Sequence, residues 1–267
     1  MDSKKYNENG FFITDKILKT QVLKFKKELN DNLIEATKKI LFNIMPQLSV
    51  QLSNNYNSLG DFLGLIHQHE IDNKVTKACY EVFPTLPFIT SLVNHSLIVN
   101  LVKSAGIVFP SVGAIPVIRL DRPNEDFRLT PWHRDYWFSF LSENSLVIWF
   151  TLPGTEDNMG KLKIIPKSHK FGFIPFKQTA TPEPYEPIFD YDNNANSLEV
   201  TLEDDEILVF NQQLLHKSGV NRSKKIRVSI QLRFNDLADA TKMTSTFGVT
   251  LSPFTMASQI EALKRSC

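Results

Sequence analysis

RVSIQLRF, residues 227–234, alternates strictly: Val228, Ile230, Leu232 and Phe234 are apolar, while Arg227, Ser229, Gln231 and Arg233 are polar. Successive side chains of a strand point to opposite faces, so this stretch predicts a β-strand with one apolar and one polar face. On an ordinary sheet the polar set meets solvent; in a barrel that encloses a site it turns inward. Short runs rich in Val, Ile and Phe, separated by turn-formers, predict further strands near 112–121, 128–135, 145–152, 161–165, 198–201 and 206–210, with the quoted stretch inside one at 226–235. Before Gly106 the texture differs. NGFFITD, residues 9–15, reads as a short entry strand. Lys16 to Met45 carries apolar residues at helical spacing, with Val22, Leu23, Leu29, Leu33, Ile40 and Leu41 as its buried stripe and Pro46 as its stop. Ile71 to Gly106 is helical again, cut by Pro84 and Pro87. The expectation is an α+β chain, mainly β, with a helical region about 16–106 and a strand-rich core about 107–240 in a single domain over 1–267.

Apolar residues at 42% and charged residues at 22% suit a globular chain. A formal charge of +1 carries no broad signal for nucleic acid or for an anionic membrane surface, and a small-molecule partner fits better. Cys79 and Cys267 stand far apart, which excludes a disulfide framework and paired-cysteine zinc spacing. MDSKKYNENG lacks the apolar core of a secretion signal, and no apolar run approaches the ~20 residues of a membrane span. Cys267 is the last residue and not the fourth from last, against prenylation. A cytoplasmic location is expected. There is no internal repeat, phosphate loop or dinucleotide glycine fingerprint. Residues 171–197 are Pro-rich and without periodicity, a length of connection that suits a lid over a pocket.

PWHRDYWFSF, residues 131–140, sets His133 and Asp135 among Trp132, Tyr136, Trp137 and Phe138. An ionised carboxylate in apolar surroundings needs a cation or a metal ion. In an extended strand, residues i and i+2 share a face, so His133 and Asp135 can present a nitrogen and an oxygen to one point. Two histidines and one carboxylate form the facial triad that leaves open positions on non-haem iron(II). His216, in LLHKSGVN after the strand EILVF, is the candidate third ligand. His-x-Asp alone is a weak motif. Arg227 strengthens it, because a guanidinium on the polar face of the quoted strand suits a bidentate bridge to a dicarboxylic co-substrate beside the metal. Arg119, Arg122, Arg128 and Arg134, with Gln231 and Arg233, are the candidates for touching an anionic substrate. Arg119 is favoured because it shares a strand face with Val117. Trp137 and Tyr136 are either pocket wall or packing.

These segments together resemble the phytanoyl-CoA dioxygenase family of iron(II)- and 2-oxoglutarate-dependent oxygenases. The resemblance runs from NGFFITD through PWHRDYW and VIWFTL to NMGKLKIIPKSHK at 158–170, then through EILVFNQQLLHKSGVNRSKKIRVSIQLRF. It implies a double-stranded β-helix, the jelly-roll or cupin-like core, behind a helical region. It implies iron(II) on His133, Asp135 and His216, and Arg227 on the distal carboxylate of 2-oxoglutarate. Ser218 and Trp149 match positions that line the co-substrate pocket, and His169 is expected to be structural. By the same resemblance, 2-oxoglutarate and O₂ are consumed, succinate and CO₂ are released, and a small molecule is hydroxylated. Because Asp135 occupies the position that related halogenases leave open for chloride, hydroxylation is the expected outcome. The alternative is a metal-binding cupin-type isomerase or sensor, which needs no carboxylate clamp where Arg227 lies.

Overall fold

The alternation of the strands sorts the chain into layers. The computed structural model describes residues 3–69, 73–126, 129–138, 142–153, 156–178, 185–189, 191 and 196–242. Its helices are α1 (Ser3–Asn9), α2 (Lys19–Ile44), α3 (Pro46–Gln51), α4 (Leu59–His69), α5 (Lys74–Val82), α6 (Pro87–Thr90) and α7 (Ser96–Ser104). Its strands are β1 (Phe11–Ile13), β2 (Pro110–Val112), β3 (Val117–Asp121), β4 (Ser145–Thr151), β5 (Leu162–Ile164), β6 (Phe176–Gln178), β7 (Tyr185–Pro187), β8 (Leu198–Val200), β9 (Leu208–Asn211), β10 (His216–Lys217) and β11 (Arg227–Asp236). The large sheet runs β1-β9-β4-β11-β2 with β3 also on β11, and a smaller one runs β10-β5-β8. Every pairing in both is antiparallel.

Leu146, Ile148 and Phe150 of β4 and Val228, Ile230, Leu232 and Phe234 of β11 pack with Leu29, Leu33, Phe62, Leu63 and Leu101 of the helices in one core. Their neighbours Val147 and Trp149, with Leu208 and Phe210, meet Leu162, Ile164 and Val200 of the small sheet in a second core. Helices therefore cover one face of the large sheet, and the small sheet covers the other. β4 is buried along its whole length, as a strand with cover on both faces must be. The polar face of β11 consequently points between the sheets rather than to solvent.

The stripe of α2 consists of Val22, Phe25, Leu29, Leu33, Ile34 and Leu41. Leu23 is 45% exposed, because positions three and four apart from Val22 define the inward face and Leu23 lies beside it, while Ile40 packs, partly buried, against the core. Lys26 is fully buried on that face, its Nζ 5.9 Å from the centroid of the Phe150 ring. α2 ends at Ile44, just before Pro46 as expected, and Pro46 then opens the separate short helix α3, where its missing N–H is no loss. The strand expected over 112–121 is two, β2 and β3, broken at 113–116. That expected over 128–135 is absent: Arg128 lies outside the described residues, only His133 forms a bridge, and Asp135 opens a 3-10 turn.

Among the described residues no single helix is long and apolar enough to cross a membrane. One bent pair, Lys74–Thr85 with Pro87–Ser104, passes by composition, but its Val75, Cys79, Ile89, Ile98 and Leu101 belong to the helical core.

Candidate metal centre

His133 and His216 are tied together by their backbones. Each donates its N–H to the other's carbonyl at 3.0 Å, an isolated antiparallel bridge, while β10 holds His216 against Ile164 of β5 on its other side. A directly opposed antiparallel pair puts its side chains on one face, and the two ring centroids are 4.1 Å apart. Asp135 arrives from the turn Asp135–Phe138, which is anchored where the Tyr136 N–H donates to the Gln212 carbonyl at 2.9 Å. Its Oδ1 lies 3.9 Å from His133 Nε2 and its Oδ2 lies 3.8 Å from His216 Nε2. All three side chains are buried, and one ligand atom from each falls within 4.8 Å of the others. His133 and Asp135 thus converge as expected, but through a turn and not through the pleat of a strand.

The protonation state suits a divalent cation. His133 Nδ1 lies 2.8 Å from the Pro131 carbonyl, and His216 Nδ1 lies 2.9 Å from that of Leu214. A carbonyl can only accept, so each Nδ1 carries the proton and each Nε2 keeps its lone pair toward Asp135. Burial, then the neighbouring His133 ring, lowers His216 to about 3, and burial likewise lowers His133. Burial alone would raise the Asp135 carboxyl, but Arg233 and, after it, the two imidazoles together outweigh it and bring the group to about 2. Asp135 Oδ2 is buried with no hydrogen-bond partner, an orphaned acceptor of the kind a cation satisfies. Two imidazole nitrogens and one carboxylate are a donor set that fits non-haem iron(II).

Arg233 is what holds an ionised carboxylate among these aromatics: its Nη2 donates to Asp135 Oδ1 at 2.8 Å. Arg227 has a carboxylate of its own. It stands opposite Asp121 in the β11–β3 register, and its Nε and Nη2 donate to Asp121 Oδ2 at 3.1 and 2.8 Å. Arg119 holds the other oxygen from Nε and Nη2 at 3.4 and 3.2 Å and donates from Nη1 to Thr130 Oγ1 at 2.5 Å. Burial would raise Asp121, but Arg227 and Arg119 outweigh it and hold it below the usual carboxylate range. Arg227 Nη1 stays buried and unpartnered, as does the Ser229 hydroxyl.

A cavity between the sheets is lined by His133 and His216 and also by Arg227, Ser218 and Trp149, the three residues expected at the co-substrate. Arg119, Gln231 and Arg233 line it too. Arg122 does not; it pairs with Glu125 at 2.9 Å. Arg134 is turned away, donating at 2.6 Å to the carbonyls of Gly172 and Ser168. Trp137 packs on Phe176 at 5.0 Å beside Ile165 and Leu215, so it is packing and not pocket wall, and Tyr136 is not on the cavity either. His169 Nε2 lies 3.2 Å from the Asn7 carbonyl, a structural role. Gly160, at φ +81°, leaves no room for a Cβ against the Gly219 carbonyl, and this close approach seats the chain after β10 beside β5. The described part of 171–197 includes the antiparallel β6–β7 pair, with Ile174 and Phe176 packed near Trp132 and Trp137, and none of it lines the cavity. Residues 179–184, 190 and 192–195 of that expected lid lie outside the described residues. Asp121, Thr130 and Tyr80 escaped the sequence reading. Asp121 was within reach of it, because VIRLD places 117, 119 and 121 on one face; Tyr80 comes from α5 and carries no local signal.

The phytanoyl-CoA dioxygenase (PhyH) family profile matches residues 122–229, the span that holds His133, Asp135, His216 and Arg227. The peroxisomal phytanoyl-CoA dioxygenase of Bos taurus is 23% identical over 243 residues, which cover 87% of this chain and 67% of that protein. The Homo sapiens protein of the same name is 21% identical over 241 residues, covering 86% of this chain and 66% of its own length. The chain thus spans about two thirds of these mammalian relatives. Among solved structures, EctD from S. alaskensis in its apoform aligns with a TM-score of 0.56 at 14% identity, over 94% of this chain and 80% of EctD. ThoJ, a non-heme monooxygenase, aligns with a TM-score of 0.54 at 16% identity, over 88% and 76% of the two chains. At such identities the likeness establishes a shared fold.

Proposed function

We propose that this chain, a relative of the phytanoyl-CoA dioxygenases, is an iron(II)- and 2-oxoglutarate-dependent oxygenase that hydroxylates a small-molecule metabolite or natural-product intermediate. Its two sheets are read as a double-stranded β-helix, and its site is assigned to the cytoplasm. His133, Asp135 and His216 would hold iron(II). Arg227 would turn its unpartnered Nη1 to the distal carboxylate of 2-oxoglutarate, with Ser218 and Trp149 as walls of the same pocket. When bound, iron(II), 2-oxoglutarate and O₂ supply the oxidising power, and succinate and CO₂ leave as the substrate gains a hydroxyl. The chain's own part is binding and orientation. The carbonyls of Pro131 and Leu214 keep the two Nε2 atoms free of protons, and Arg233 fixes Asp135 through its Oδ1. Apolar side chains between the sheets keep water from the interior.

The observation that carries this reading is the meeting of three ligand atoms from two distant segments within 4.8 Å, on a cavity that also holds an arginine with an unsatisfied donor. Anaerobic addition of iron(II) and then 2-oxoglutarate tests it: the visible charge-transfer band of the chelate is expected, weakened in Arg227→Ala. Stoichiometric metal binding without any response to 2-oxoglutarate would favour the cupin-type isomerase or sensor. Absence of metal binding would remove both readings.

A further inference from the structure

Arg227, Ser229, Gln231 and Arg233 form one row on the inner face of β11, and the row has an arginine at each end. Six residues of strand separate their Cα atoms by about 20 Å, and the two guanidinia are anchored on different carboxylates, Arg227 on Asp121 and Arg233 on Asp135. Arg233 is also incompletely used. Its Nη2 serves Asp135 Oδ1 and Gln231 Oε1, at 2.8 and 3.1 Å. Its Nε is buried without a partner, and its Nη1 makes no hydrogen bond to any described residue, while 18% of the side chain stays open. Because Gln231 Oε1 is occupied by Arg233, the carboxamide offers its NH₂. Tyr80 of α5 lies on the same cavity, 49% exposed, its phenol oxygen without a hydrogen-bond partner among the described residues.

A guest entering here meets donors. The two carboxylates that face the cavity's arginines are both committed, Asp121 to Arg119 and Arg227, and Asp135 to the metal position. Once Asp135 shares its charge with a divalent ion, Arg233 retains positive charge that no other described residue lining the cavity neutralises. Val117, opposite Gln231 in the β3–β11 register, supplies an apolar wall beside this cation.

We propose that Arg233, helped by Gln231 and Tyr80, is the specificity-determining grip for an oxyanion on the substrate, a carboxylate or a phosphate ester, docked beside the metal while Arg227 holds the co-substrate. The inference rests on the oxygenase reading above and names its substrate class. Protein loaded with iron(II) and saturating 2-oxoglutarate under argon is titrated with hexanoate, with hexanamide and with phenyl phosphate, read by the shift of the chelate band and by tryptophan fluorescence. The expected result is at least tenfold tighter binding of one or both anions than of the neutral amide, hexanoate or phenyl phosphate leading according to which oxyanion the site takes. Arg233→Gln should level that preference, and Arg233→Lys, which keeps a cation at Asp135 and guards against misfolding, should retain part of it. Tyr80→Phe, at an exposed position, should reduce it a few-fold with 2-oxoglutarate affinity unchanged. A chelate band with no preference for either anion in the wild type overturns this inference alone, and so does a preference that survives both Arg233→Gln and Tyr80→Phe. Loss of 2-oxoglutarate affinity in Arg233→Gln as large as in Arg227→Ala also overturns it, by moving Arg233 to the co-substrate. No chelate band in the wild type overturns the oxygenase reading itself.

Discussion

Val228, Ile230, Leu232 and Phe234 on one face of β11 are each no more than 3% exposed, and on the other face Arg227 and Ser229 are 2% and 1% exposed. The faces differ in what they are buried against. The apolar set meets helices and needs no partner; the polar set meets a cavity, and each charge on it must find an opposite one or remain costly. Arg227 finds Asp121 and Arg233 finds Asp135. Among the buried side-chain atoms without a hydrogen-bond partner, Arg227 Nη1, Ser229 Oγ and Arg233 Nε lie on this face, and Asp135 Oδ2 lies beside it. Buried donors and an acceptor grouped in this way are what the proposed metal and co-substrate would satisfy, whereas Val228, Ile230, Leu232 and Phe234 carry no polar atom to satisfy.

Several changes would break or sharpen that contrast, taken from the largest expected effect downward. His133→Ala or His216→Ala should lower metal affinity and turnover by more than about 100-fold, beyond what losing an outer partner of a ligand costs; substantial iron-dependent succinate release from either variant would mean that the polar face is not the site. Ile230→Ala, on the opposite face, should cost about 2–5 kcal/mol in urea denaturation while the folded protein keeps its chelate band. If the band vanished instead, the two faces would not be separable. Arg227→Ala should raise the Kd for 2-oxoglutarate roughly 10- to 100-fold, as expected for about 1.5–3 kcal/mol from a charge-assisted hydrogen bond, with iron affinity kept.

Acid acts on the metal centre through two of its groups. His216 falls from an unfolded value near 6.5 to about 3, and Asp135 from near 3.8 to about 2. Between the two values of each group the unfolded chain binds more protons, so the stability these groups contribute is present above the unfolded pKa and is lost as pH falls toward the folded one. Denaturation of metal-free protein should show stability declining below about pH 6.5 for the histidine and further below about 3.8 for the aspartate. By the same reasoning, metal uptake at pH 7 should release almost no protons, measurable by calorimetry in two buffers of different ionisation heat. Lys27→Ala, which removes the exposed pair with Asp31 at 2.6 Å, should change neither stability nor binding measurably.

Legibility followed the range of the interaction. The stripe of α2 was readable through Val22, Leu29, Leu33 and Leu41 because it repeats within a few residues, and it slipped at Leu23 where an apolar residue sits just off that face. His133, Asp135 and His216 were readable as residue types, since few side chains can serve a metal. The turn that delivers Asp135 was not, because it depends on Tyr136 bonding to Gln212 in a distant segment. Arg134, inside the motif, was one candidate for substrate contact beside Arg233 and is instead spent on two backbone carbonyls.

The sequence by itself determined the alternation of 227–234, the helical region before Gly106, and a candidate ligand set split between residues 133–135 and 216. Period and residue chemistry are local properties, so they survive without coordinates. Only the tertiary structure decided that the polar face of β11 turns inward, that Arg227 meets Asp121 across 106 positions, and that Arg233 meets Asp135 across 98. Those pairings depend on strand register and on which layer covers which face, and both are settled by packing the whole chain at once.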